Sequence, residues 1–178
     1  LCALREAAGV TDLFAPAKRA QVHTMEALCE RALQSGAAGV SLGPGYAPGT
    51  SLEEMEALCT MARRYGRPAA IDTRMFAMTD LNSLSEAIEL AEVTGCRMIV
   101  SHFEYQYGVG VEYKALEMLE LARARGVDMR LDSGMYKEGN YIESVGTEGG
   151  VIQKPKATAE ASTGSGDDKE KETKGKTE

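Results

Sequence analysis

A repeat of about 30 residues constrains this 178-residue chain more than any other feature. Four short apolar runs begin near residues 37, 68, 97 and 127, spaced by 31, 29 and 30 residues. Each follows an amphipathic helical stretch and a glycine (Gly36, Gly66, Gly95 and Gly126). A glycine just past the last apolar helical position supplies a left-handed stop. A short apolar run after it reads as a buried strand. A βα period of this length leaves two architectures, a (β/α)8 barrel or a doubly wound open sheet. Both have parallel strands and right-handed crossovers.

The helices are legible from their apolar spacing. Over Ala20–Gln34 the inward positions are Val22, Met25, Leu28, Cys29, Ala32 and Leu33. Ser51 and Glu54 form a capping box that opens a helix with Leu52, Met55, Leu58, Cys59 and Ala62 on one face. Leu84, Ala87, Ile88 and Ala91 mark a third helix; Leu116, Leu119, Leu121 and Ala122 mark a fourth within Tyr113–Arg125. Residues 1–17 carry turn signals at Gly9 and Pro16, and residues 105–113, with three tyrosines and two glycines, read as a loop.

The pattern stops near residue 150. Lys154 to Glu178 holds almost no large apolar side chain, so residues 151–178 are expected to form a disordered tail behind a folded domain of residues 1–150. The tail's six lysines and six acids cancel, and the net charge of −7 belongs to the folded part. That charge argues against nucleic acid and anionic membranes as partners. No apolar run approaches the roughly 20 residues of a bilayer span. With no basic-then-apolar leader, the expected compartment is the cytoplasm. Four cysteines about 30 residues apart suggest neither a disulfide framework nor a zinc ribbon. The chain opens on Leu1 without a methionine, and four βα units are half of a barrel, which takes about 250 residues. The expectation is a partial barrel belonging to a longer protein.

Polar residues collect where the strands end: Tyr46, then Asp72 and Arg74, then His102 and Glu104, then Asp132 and Tyr136. In a parallel sheet these share one rim, where α/β proteins place their chemistry. Histidine and carboxylate suit a divalent metal, and arginine suits an anionic substrate. Blander roles stand beside these. A strand-end histidine also serves as a hydrogen-bonded structural residue, and Asp72 and Asp132 also serve as turn caps. Tyr105, Tyr107 and Tyr113 pack a loop over the rim, and His23 lies on a solvent-facing helix surface.

Several motifs in series carry a resemblance. Gly36-Ala37-Ala38-Gly39-Val40-Ser41-Leu42-Gly43 with Tyr46-Ala47-Pro48-Gly49, then Arg74, then Val100-Ser101-His102-Phe103, then Asp132-Ser133-Gly134-Met135-Tyr136 keep one order. Over residues 5–145 the chain resembles the middle of an amidohydrolase-superfamily protein, on the N-acyl-D-amino-acid deacylase and dihydroorotase-like branch. The resemblance implies a metal-dependent (β/α)8 barrel that hydrolyses amide or cyclic amide bonds, with zinc as the expected metal. It makes His102 a metal ligand, and Tyr46, Arg74 and Tyr136 substrate-binding residues. Where the family pattern has a second metal histidine, Ile71-Asp72-Thr73-Arg74 offers Asp72. Glu104 stands where deacylases often carry lysine. The superfamily's His-x-His pair and its late-barrel aspartate, the general base, have no counterpart here, so no catalytic residue is assigned.

The first expectation is therefore a fragment of a metal-dependent amidohydrolase acting on a small amide substrate, inactive by itself. The alternative is a non-catalytic α/β module that pairs with itself or a partner through open sheet edges. A flavodoxin-like phosphate binder ranks below both, because no Gly-rich loop opens directly into a helix.

Overall fold

A computed structural model describes residues 1–74, 80–108 and 110–133. Helices α1 (Cys2–Ala7) and α2 (Arg19–Gln34) lead into β1 (Val40–Leu42), α3 (Leu52–Arg64), β2 (Ala69–Ile71), α4 (Leu81–Thr94) and β3 (Met98–Val100). The helices α5 (Phe103–Tyr107) and α6 (Glu112–Ala124) and the strand β4 (Met129–Leu131) follow. The strands form one parallel sheet in the order β1-β2-β3-β4. Each strand is preceded by a helix (α2, α3, α4 and α6), the alternation that the 30-residue repeat predicts. The described residues lie within the compact unit Leu1–Tyr141. The expected tail and Tyr136 fall outside them.

The helix stops are where the glycines predict. Gly36, Gly66, Gly95 and Gly126 have φ of 99, 64, 64 and 91°, a region costly for residues with a Cβ. The capping box forms too. The Ser51 hydroxyl accepts from the Glu54 amide at 3.3 Å, and the Glu54 carboxylate accepts from the Ser51 amide at 3.0 Å.

The sheet's two faces differ. Val40, Leu42, Ala69, Ile71, Met98, Val100 and Met129 are buried against the helices, beside Met25, Met55, Leu58, Leu84 and Leu119. Burying one such side chain stabilises by about 1.5–3 kcal/mol. The opposite face carries the register row Ser41, Ala70, Ile99 and Arg130. In it Ser41 and Arg130 are exposed, and Ala70 and Ile99 are half-buried. Cys29, Cys59 and Cys96 are buried free thiols.

Besides the expected turns, residues 1–17 hold the helix α1. Within it Arg5 is 1% exposed and paired with the fully buried Glu54. Arg5 also donates to the carbonyls of Asp12 (3.1 Å) and Ala15 (2.6 Å), while the amide of Ala17 donates to Glu54 at 2.9 Å. One buried ion pair thus pins the whole amino-terminal segment to α3. One expectation fails, the loop read over residues 105–113. Residues 105–107 of the expected 105–113 loop belong to α5, whose Phe103, Gln106 and Tyr107 are buried on one face.

Candidate site at the carboxyl ends of the strands

β1 passes into the loop that carries Tyr46, β2 into Asp72-Thr73-Arg74, and β3 into Ser101-His102. The main chain ties these ends together. Asp72 donates to the Leu42 carbonyl (2.8 Å), Ser101 to Ile71 (2.9 Å) and Asp132 to Val100 (3.0 Å). An open cavity of about 380 Å³ results, lined by Ser41, Tyr46, Asp72, Ser101 and His102, with the start of α1 at its edge. The structure therefore brings Tyr46, Asp72 and His102 together.

Asp72 is half-buried, and burial pushes its carboxyl above the usual carboxylate range. The Tyr46 hydroxyl donating to it, the His102 ring beside it and the Gln106 amide pull the other way. Gln106 donates to Oδ1 at 2.6 Å. Burial, then the Asp72 charge, pushes the Tyr46 phenol up. Behind Asp72 lies a buried polar chain. The Thr73 hydroxyl donates to the Gln106 carbonyl oxygen at 2.7 Å and lies 2.8 Å from the Tyr107 hydroxyl, which is 3.0 Å from Ser83. A satisfied buried network of this kind holds its members in one arrangement. Tyr107, expected to pack a loop, is 1% exposed and belongs to it, whereas Tyr113 is 82% exposed.

His102 adopts φ 54° and ψ 39°, the only left-handed non-glycine among the described residues. For such a residue that conformation costs roughly 1–2 kcal/mol. Two hydrogen bonds from the turn meet one carboxylate. The His102 amide donates to Asp132 Oδ1 at 2.9 Å, and the Ser101 hydroxyl donates to Oδ2 at 3.2 Å. Asp132 is thus a turn-bracing residue, one of the two readings its sequence position allowed. Glu104 accepts from the Ser133 hydroxyl at 3.1 Å.

Arg74 is elsewhere. Its Nε meets both oxygens of Glu86 at 2.9–3.0 Å, and its Nη groups donate to the carbonyls of Pro48 and Thr50. It does not line the cavity; it ties down the loop that presents Tyr46. Tyr136 lies outside the described residues. Sequence reading missed Gln106, Thr73 and Ser83. The usable signal was the i, i+3, i+4 spacing of Phe103, Gln106 and Tyr107, masked by the glycines that follow.

The donor set does not complete a metal centre. Structural and catalytic zinc takes three or four protein ligands. Among the described residues no three His, Cys, Asp or Glu side chains come together to hold one. Asp72 Oδ1 already accepts from Gln106. His102 and Asp72 are at most part of a ligand shell.

Parallel βα units with a polar cavity at the carboxyl strand ends place the chain among α/β proteins of the barrel or doubly wound kind. Comparisons narrow the class. The chain is similar to the N-acyl-D-glutamate deacylase of Alcaligenes xylosoxydans xylosoxydans, 29% identical over 139 residues, covering 76% of this chain and 28% of that protein. It is also similar to an allantoinase of Desulfitobacterium hafniense, 34% identical over 73 residues, covering 39% of this chain and 15% of that protein. Among solved structures, a D-aminoacylase described as defining a novel subset of amidohydrolases matches with a TM-score of 0.65. It is 28% identical over 75% of this chain and 28% of its own. The N-acyl-D-glutamate deacylase of Bordetella bronchiseptica, solved with zinc and a phosphonate inhibitor, matches with a TM-score of 0.66 and 27% identity, over 75% of this chain and 29% of its own. No protein-family model matches. The resemblance read from the sequence is thus to the same proteins that these comparisons find, amidohydrolases of the D-aminoacylase and N-acyl-D-glutamate deacylase branch. The chain spans less than a third of their length.

Proposed function

We propose that the chain is the central segment of a metal-dependent amidohydrolase that cleaves the amide bond of an N-acyl-D-amino acid or a cyclic amide. One observation carries this reading: Tyr46, Asp72 and His102 line one strand-end cavity, within a fold that matches D-aminoacylase over 75% of the chain. His102 and Asp72 would contribute to a divalent-metal shell, zinc by preference, completed by residues outside this segment. Tyr46 and Tyr136 would contact the small amide substrate, with Arg74 bracing the Tyr46 loop. The folded domain is taken to end near residue 150, before a charged tail. Buried free thiols suit a reducing compartment, in keeping with a cytoplasmic location, and the net charge of −7 does not suit nucleic acid.

On this reading the 178-residue chain alone hydrolyses nothing. Chelator-sensitive hydrolysis of N-acyl-D-amino acids by the purified chain would overturn its inactivity. Expression with the adjoining coding sequence tests the family assignment: amide hydrolysis is expected to appear and to be lost with His102→Ala. Its failure to appear with any N-acyl-D-amino acid or cyclic amide sinks the assignment.

Among the described residues β1 and β4 are the edge strands of the sheet, which favours a second reading, a non-catalytic module that self-associates or binds a partner. A concentration-independent monomer in light scattering removes self-association.

A further inference from the structure

We propose that Asp132 is a positioning residue that holds His102 in its left-handed conformation and so presents the imidazole to the strand-end cavity. The functional sense of this rests on the amidohydrolase reading above; the conformational claim is testable without it.

Four bonds link Asp132 to the Val100–Phe103 segment. The Asp132 amide donates to the Val100 carbonyl (3.0 Å), and the Phe103 amide donates to the Asp132 carbonyl (2.9 Å). The side chain supplies the other two. Oδ1 takes the His102 amide at 2.9 Å and Oδ2 takes the Ser101 hydroxyl at 3.2 Å. The first continues the parallel pairing of β3 with β4, the second comes one residue later than that pairing would place it, and neither uses the side chain at position 132. The second two need a short acceptor with two oxygens. They reach the amide of the left-handed residue itself and the hydroxyl of the residue before it.

The consequence runs past His102. Its carbonyl accepts the Gln106 amide at 3.0 Å, the first turn of α5, and the Gln106 side chain holds Asp72. The conformation of residue 102 therefore sets the start of the helix that orients the second cavity group. A residue that strains its backbone at a site must be over-determined by its surroundings, and Asp132 supplies that constraint from the next strand. Glycine at position 102 would take the same conformation freely, so the histidine is kept at a cost that its side chain must justify.

The test is NMR of the full 178-residue chain, where only two histidines have to be assigned. The one-bond Cα–Hα coupling and the Cα shift of residue 102 report positive φ. The wild type is expected to show the left-handed signature. Asp132→Ala should lose it while the sheet resonances stay in place, and Asp132→Asn, which keeps an acceptor for the His102 amide, should retain it. In a His102→Gly background, Asp132→Ala should lower the melting temperature less than it does in the wild type. A left-handed signature that survives Asp132→Ala makes Asp132 merely stabilising and overturns the proposal. Should Asp132→Ala not fold, amide exchange in the wild type decides. The His102 amide is expected to exchange at least tenfold more slowly than unbonded amides, and exchange at their rate overturns the proposal. Failure of amide hydrolysis in the extended protein, with these signatures intact, would instead remove the functional reading and leave the conformational one.

Discussion

The two faces of the sheet follow opposite rules. On one, alternate residues from all four strands are sealed beneath α2, α3, α4 and α6. On the other, the row Ser41, Ala70, Ile99, Arg130 faces outward, flanked by the cavity that holds Asp72 and His102. In a closed barrel both faces are buried, the inner one by layers of side chains from alternate strands. Among the described residues helices cover one face only, and the other leaves Ser41 and Arg130 exposed and Ala70 and Ile99 half-buried. The difference shows which half of a barrel's interactions is local to each βα unit and which depends on closure.

Four substitutions would break or sharpen that contrast. The largest effect is expected in the helical layer. Glu54→Ala leaves Arg5 buried without its partner and should cost about 3–5 kcal/mol in urea unfolding. Next comes Leu42→Ala on the covered face, where a fully buried side chain leaves a cavity; about 2–5 kcal/mol is expected. If Glu54→Ala proves nearly neutral, the amino-terminal segment is not pinned as described.

The third sits on the rim and has the opposite sign. Burial raises the folded-state carboxyl of Asp72 above its ordinary value of 3.8. The stabilisation this represents is fully present below the unfolded value and is lost as pH rises through the raised folded value. Asp72→Asn removes that dependence. With chelator present, the variant should therefore be more stable than the wild type at pH 7, with the gap closing as the pH is lowered towards the ordinary carboxyl value. Equal stabilities at both ends would mean that Tyr46 and Gln106 fully offset the burial.

The smallest effect belongs to the open face. Ile99→Ala should cost about 1 kcal/mol or less, because its side chain lacks the enclosure that makes Leu42 expensive to remove. A loss as large as that of Leu42→Ala would show that the inner face is covered in solution, and light scattering on the same samples would then look for a second copy.

What the sequence determined by itself was everything encoded within one repeat. The glycine stops, the Ser51–Glu54 box, the four helices and the four strand positions follow from backbone preference and apolar spacing over a few residues, whereas the order β1-β2-β3-β4 was decided by the fold. Strand-end placement of Tyr46, Asp72 and His102 followed as well, because a parallel βα array sends every carboxyl end to one rim. Tertiary structure decided what those residues touch. Arg5 meets Glu54 across 49 positions, Gln106 meets Asp72 across 34 and Asp132 meets His102 across 30. None of these pairs leaves a local trace, since each forms only when separate units pack. The same limit explains Arg74. Its position on the rim was legible, but its direction was set by Glu86 and the Pro48–Thr50 carbonyls, acceptors that only the folded chain assembles around it.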